Sequence, residues 1–165
     1  MHYPVSALQL PTITSADIAY KHLRFLAYEP QEVLVAIFLD SQKQILRYQE
    51  VFRGTLDSCP ARPREVLREA LLYNAHSILV AHNHPSQCLD PSLDDIRFTQ
   101  NMIDAGSIIG VPLLDHLIVG ISSFFSFRQK MRAQFRRIVR RQRLRPFARV
   151  RLLEHPIPDG PYQTG

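Results

Sequence analysis

The run His82-Asn-His-Pro-Ser-Gln-Cys-Leu-Asp-Pro-Ser-Leu-Asp-Asp95 places two histidines, three aspartates, a cysteine and two serines in fourteen residues. It follows directly on the apolar segment Ser77-Ile-Leu-Val-Ala81, so a buried strand ends where the polar groups begin. His82 and His84 are two residues apart, which in extended chain turns both imidazoles to the same side. Asp95 comes eleven residues after His84, beyond a Pro-containing loop and in the first turn of a predicted helix, close enough to fold back toward the histidines. Two neutral imidazoles and one carboxylate are a ligand set suited to zinc, with a fourth position left for water. Zinc at such a site brings the pKa of its water down to about 7.

Hydrolysis also needs a group to take the proton and pass it to a leaving amine. Glu32 is the candidate, because it stands at the mouth of a central apolar strand, where a carboxylate is costly unless it meets water, a cation or a donor. The plain alternative is an ordinary strand-edge acid, and Asp94 is the nearest other acid to consider. Ser92 can donate a hydrogen bond to the oxyanion of a tetrahedral intermediate. The same hydroxyl fits a helix N-cap: Ser92-Leu-Asp-Asp95 has an acidic third position, and Asp94 and Asp95 favour a helix start through the dipole. Capping does not account for two histidines at the exit of a hydrophobic strand.

The elements that must position these groups follow from periodicity. Thr14-Ser-Ala-Asp17 caps a predicted helix with Ile18, Leu23, Leu26 and Phe25 near one face, ending around Tyr28-Glu-Pro30. Glu32–Asp40 and Gln44–Phe52 read as a hairpin. Arg64–Asn74 has Val66, Leu67, Ala70 and Leu71 at helical spacing behind Pro63, a favourable first-turn residue. A strand over 77–81 follows, then the polar loop, then a helix over about 93–105 with Ile96, Met102 and Ile103 inward. Leu113–Gly120 and Ser123–Phe127 are two more strands. The order β-β-α-β-α-β-β predicts an α/β fold with a mixed sheet flanked by helices.

With 165 residues, 45% of them hydrophobic, the chain can bury a core without staples. No apolar segment has membrane-spanning length, and the N-terminus lacks the basic start and apolar stretch of a signal peptide, so a cytoplasmic protein is expected. Cys59 and Cys88 make no disulfide framework. The net charge of +5 is unevenly spread: residues 1–127 hold nine Lys/Arg against thirteen Asp/Glu, whereas residues 128–151 hold eleven Lys/Arg and no acid. The expected organisation is a body over 1–127 and a basic C-terminal extension over 128–165, helical to about 145 and disordered after it. Met131, Phe135 and Ile138 give that extension a narrow apolar stripe. It is suited to weak nucleic-acid binding through residues 128–151, or equally to a solvated tail.

Glu32, His82-x-His84-Pro, the seven residues between His84 and Ser92, and Asp95 three residues after Ser92 resemble the signature of JAMM (MPN-type) metalloproteases and isopeptidases. Within them the chain is similar to the RadC branch, through Phe38-Leu-Asp40, Arg53-Gly-Thr55, Pro63-Arg-Glu-Val66, Ala81-His-Asn-His-Pro-Ser86, Pro91-Ser-x-x-Asp95, Leu114-Asp-His116 and Ser126-Phe127. The likeness covers roughly residues 13–130. It implies a cytidine-deaminase-like α/β sandwich, zinc on His82, His84 and Asp95, Glu32 as acid/base through the zinc-bound water, and Ser92 as oxyanion partner. The implied activity is cleavage of a peptide or isopeptide bond in a protein or peptide substrate. A different class of function, a DNA-repair-associated or nucleic-acid-binding accessory without protease activity, is the alternative that the family's name and the basic tail bring with them. A third, a catalytically silent scaffold, fits poorly with a complete metal set.

The chain departs from the family at Gln87, where RadC proteins usually have glycine, a change that matters if the position wants φ > 0. Cys88 is an unusual neighbour that reads as incidental rather than as an extra soft ligand. Asp115-His116 matches the family but reads as support for the site, not as ligands. A zinc deaminase would need His-x-Glu followed by Pro-Cys-x-x-Cys, and neither occurs. An HNH nuclease spreads its histidines and asparagine over a longer unit than His82-Asn-His84.

Overall fold

The computed structural model describes residues 11–54 and 62–130. The order of elements is α1 (Ala16–Leu23), a 3-10 turn (Arg24–Tyr28), β1 (Glu32–Leu39), β2 (Ile45–Gly54), α2 (Pro63–Leu72), β3 (Ser77–His82), α3 (Leu93–Ile109), β4 (Leu113–Val119), β5 (Phe124–Ser126) and the short α4 (Phe127–Lys130). The five strands form one mixed sheet in the order β2-β1-β3-β4-β5. Only β3 and β4 run parallel, joined by α3; the other neighbours are antiparallel. This is the α/β architecture the periodicity predicts. Among the described residues no helix is long and apolar enough to cross a membrane. The extension proposed over 128–165 lies outside the described residues from 131 onward, as does Cys59.

β1 shows why its sequence is an unbroken apolar run. Val33, Val35, Ile37 and Leu39 face a core shared with Ala16, Ala19 and Leu23 of α1, while Leu34, Ala36 and Phe38 face Val66, Leu67 and Ala70 of α2 and Met102 and Ile103 of α3. Both faces of the sheet are covered, so alternation disappears. The same period-two geometry sorts β3: Ile78 and Val80 lie on the α2/α3 side, Leu79 and Ala81 on the α1 side. His82, two positions beyond Val80, therefore emerges on the α2/α3 side.

Three elements differ from expectation. The N-terminal helix ends at Leu23 and tightens into the 3-10 turn, and Phe25 is left exposed. A 3-10 turn advances by three residues rather than 3.6, so it keeps Leu23 and Leu26 inward and rotates Phe25 out. The last predicted strand stops at Ser126, and Phe127 opens α4 instead. Finally, α3 runs on to Ile109 through Gly106 and ends at Gly110, whose φ of 84° is the left-handed terminus that glycine favours.

Gly106 has a packing reason: a Cβ there would lie 2.5 Å from the Val111 carbonyl oxygen, a backbone atom that cannot swing aside. Gly106→Ala gains about 1 kcal/mol of helix propensity but forces that contact, an overpacking that costs about 1–3 kcal/mol. The net expectation is destabilisation, read as a lower urea midpoint at unchanged slope; a midpoint at or above wild type would show that the β4 approach relaxes freely.

Candidate metal centre

His82 closes β3 and His84 follows two residues later, and the two Nε2 atoms come within 3.0 Å. Asp95 sits at the third position of α3, with Oδ1 3.1 Å from His82 Nε2 and Oδ2 3.4 Å from His84 Nε2. Glu32, the first residue of β1, joins them: one ligand atom from each of Glu32, His82, His84 and Asp95 lies within 4.8 Å of the others. Antiparallel pairing of Leu34 with His82 produces this, since Glu32 shares the face of Leu34 and His82. The four residues singled out in the sequence as ligands and base are thus assembled at one end of β1 and β3.

The loop between the histidines and α3 has its own supports. His84 Nδ1 is 2.8 Å from the Cys88 carbonyl oxygen, which can only accept, so Nδ1 is the donor and, in the neutral ring, Nε2 is the lone pair. Cys88 therefore takes part through its main chain, while its exposed thiol is not in the converging set. Gln87 does occupy the left-handed region, at φ 61°. Its side chain offsets that strain by donating to the Ala27 carbonyl at 3.0 Å and accepting from the Ile121 main-chain N–H at 3.2 Å. Glutamine here ties the loop after His84 to the 3-10 turn and to the β4–β5 turn.

Ser92 is the N-cap of α3 in a reciprocal capping box. Its hydroxyl accepts from Asp95 N–H at 3.1 Å and donates to Asp95 Oδ2 at 2.8 Å, and its own N–H also donates to Oδ2 at 2.8 Å. Burial alone would raise the Asp95 carboxyl, but the adjoining His82 and His84 rings and the bonds from Ser92 outweigh it and hold the group well below the usual carboxylate range. The Asp95 carboxylate beside it in turn raises the His84 imidazole. Glu32 is pushed up, chiefly by burial, and its Oε2 is a buried atom with no hydrogen-bond partner. Asp94 is in none of these contacts; it is exposed and paired with Arg97 at 3.2 Å.

Behind His82 stands His116 of β4, fully buried, with Nε2 2.8 Å from His82 Nδ1. Burial holds its pKa well below the ordinary histidine value. Asp115 fixes this segment by accepting from His116 N–H, from Arg128 N–H and from the Ser126 hydroxyl, at 2.8, 3.0 and 2.6 Å. Asp115 and His116 stand behind His82 and outside the converging set.

Two residues escaped the sequence reading. Thr99 bonds both the Asp95 main-chain oxygen and His116, and its only signal was its place one helical turn after Asp95. Asn83 points opposite to the histidines that flank it. Its Oδ1 accepts from Val33 N–H at 2.9 Å and its amide donates to the Glu29 and Gln31 carbonyls at 3.2 and 3.0 Å, so it clamps the main chain on both sides of Glu32. Asn83→Ala is expected to cost about 1–3 kcal/mol for the donor left unpaired, measured by urea unfolding. A loss below a few tenths of a kcal/mol would mean that water replaces the clamp.

The sequence model of the RadC-like JAB domain matches residues 13–132. A UPF0758 protein of Latilactobacillus sakei subsp. sakei is 40% identical over 117 residues, covering 71% of this chain and 52% of the relative. One from Streptococcus sanguinis is 46% identical over 116 residues, 70% of this chain and 51% of its own length. Another, from Paraburkholderia xenovorans, is 42% identical over 116 residues, with 70% and 46% covered. The chain spans about half the length of the curated relatives it matches. The matched span reaches from the residue before α1's cap region through α4 and includes all four converging residues, so the chain belongs to the family of RadC-like JAB domains, within the JAMM superfamily.

Proposed function

We propose that this domain is a zinc-dependent hydrolase that cleaves a peptide or isopeptide amide bond in a protein or peptide substrate. The observation that carries the reading is the convergence of His82, His84 and Asp95 on one point, with the buried, unpartnered Oε2 of Glu32 beside it. Electron-rich atoms packed this closely repel one another unless a cation lies among them. The donor set fits zinc: two imidazoles and a carboxylate would hold it and leave a position open. Bound there, zinc supplies Lewis acidity that acidifies a water and polarises the scissile carbonyl.

Glu32 would take the proton of the attacking water on its carboxylate and deliver it to the departing nitrogen. Burial raises its pKa, which makes it a stronger base than an exposed glutamate. Ser92 would stabilise the oxyanion by turning its hydroxyl hydrogen away from Asp95. The cap can survive that rotation, because the Ser92 N–H bond to Asp95 Oδ2 remains. Membership of a superfamily that is often hydrolytic supports the reaction class.

The test is elemental analysis of the purified chain followed by a hydrolysis screen on peptide and isopeptide libraries. One zinc per chain and chelator-sensitive cleavage are expected. Failure to take up zinc at neutral pH would sink the reading.

We further infer weak, sequence-independent nucleic-acid binding through residues 128–151, because eleven cations without an acid can neutralise phosphates without distinguishing bases. Truncation after Lys130 should lower DNA affinity and flatten its salt dependence. An unchanged salt slope would remove the tail as the binding element.

A further inference from the structure

His116 has two close neighbours: its Nε2 is 2.8 Å from His82 Nδ1, and its Nδ1 is 2.6 Å from Thr99 Oγ1. The same hydroxyl is 2.6 Å from the Asp95 main-chain oxygen one turn earlier in α3. A carbonyl oxygen only accepts, and a threonine hydroxyl carries a single hydrogen. That hydrogen must therefore lie on the line to Asp95 O. The hydroxyl can then meet His116 Nδ1 only as an acceptor, which places a hydrogen on His116 Nδ1. The ring is fully buried and neither of its nitrogens contacts a carboxylate, so it keeps that one hydrogen and its Nε2 is bare. A bare Nε2 at 2.8 Å requires His82 to donate from Nδ1, so in the neutral ring the His82 Nε2, 3.1 Å from Asp95 Oδ1, is the lone pair.

We propose that Thr99 and His116 are positioning residues that lock His82 in its Nδ1–H tautomer, with the Nε2 lone pair presented to the metal before any metal arrives. The reverse order of hydrogens would leave Thr99 Oγ1 and Asp95 O 2.6 Å apart with no hydrogen between them. It would also put a hydrogen on His82 Nε2, where a ligand needs a lone pair. Packing keeps the relay aligned: the His116 ring is stacked on Phe127 at 4.7 Å between centroids and meets the edge of Phe98 at 5.8 Å. The relay also returns to the third ligand, since its far end is the main chain of Asp95 itself. Two ligands from different elements are thereby held in register.

The consequence for zinc rests on the metal-site reading, whereas the tautomer belongs to the metal-free chain, and the experiment separates them. Long-range nitrogen–proton correlation spectra of the chelator-treated full chain, at mildly alkaline pH, should show both His82 and His116 in the Nδ1–H form. In parallel, zinc affinity is measured by competition with a chromophoric chelator. Thr99→Val should weaken zinc about tenfold or more, the scale of lost outer support of a ligand, and Thr99→Ser should restore it. An Nε2–H pattern for His82 in the wild type overturns the proposal, as does a folded Thr99→Val protein with wild-type zinc affinity. Should the wild type bind no zinc, the metal-site reading fails while the spectra still decide the tautomer.

Discussion

Glu32→Gln should keep its fold and its zinc and lose about a hundredfold or more of its hydrolytic activity, the scale of a missing general base. Three features make the substitution clean. Gln has nearly the same shape, so the neighbouring Val33 and Gln31 main chain stays clamped by Asn83. The Oε2 atom has no hydrogen-bond partner, so no bond of the fold is broken. The carboxylate is desolvated, as its raised pKa reflects, so replacing it by a neutral amide should leave stability unchanged or slightly higher. The assay uses whichever peptide or isopeptide substrate the wild type is found to cut, with zinc measured on the same samples. Full activity would remove Glu32 from the reaction. Loss of zinc would make it a fourth ligand instead, which its place within 4.8 Å of the other ligand atoms makes a real alternative outcome. Asp94 cannot substitute as base, since it faces solvent beside Arg97.

What the sequence discloses about this domain depends on how local the determining contact is. β1 and β3 are legible because strands covered on both faces carry continuous apolar runs, and every residue from Val33 to Leu39 is buried. The three proposed ligands are easy to see in the sequence because thirteen consecutive peptide bonds contain them all, at a spacing set by one strand end and one capping box. Gly106 misled the prediction of where α3 ends, because a glycine that interrupts a helical pattern and one that admits a neighbouring carbonyl look alike in sequence. Phe25 misled because a shift from α to 3-10 geometry changes which residue faces inward without changing composition. The Thr99–His116–His82 relay was out of reach for a different reason. It is closed by the parallel pairing of β3 with β4, in which Val80 stands beside His116, and that register is fixed by the whole crossover through α3. Asn83 lay in plain view between the histidines, yet its partners Glu29, Gln31 and Val33 are some fifty residues away.

His82→Ala and His84→Ala should both abolish stoichiometric zinc, and with it hydrolysis, while differing sharply in stability. His84 lies on the loop and spends its Nδ1 on the carbonyl of Cys88, an exposed residue that water can reach. Its removal should leave the metal-free fold nearly as stable as before. His82 is 1% exposed and is the hydrogen-bond partner of the fully buried His116 Nε2. Truncating it strands that nitrogen away from water, at a cost of about 1–3 kcal/mol for the unsatisfied group alone, and the vacated ring volume adds to the loss. For a domain of this size each kcal/mol lowers Tm by roughly 4 °C, so the two variants separate clearly in a thermal melt. The melts must be compared after chelation of all three proteins, because any metal bound only by the folded chain raises the wild-type Tm by mass action. Retention of stoichiometric zinc by either variant would dismantle the ligand set. Equal stability of the two metal-free variants would instead mean that His116 finds another partner when His82 is gone, and that the hydrogen passed from His82 to His116 holds less of the β3–β4 seam together than its burial implies.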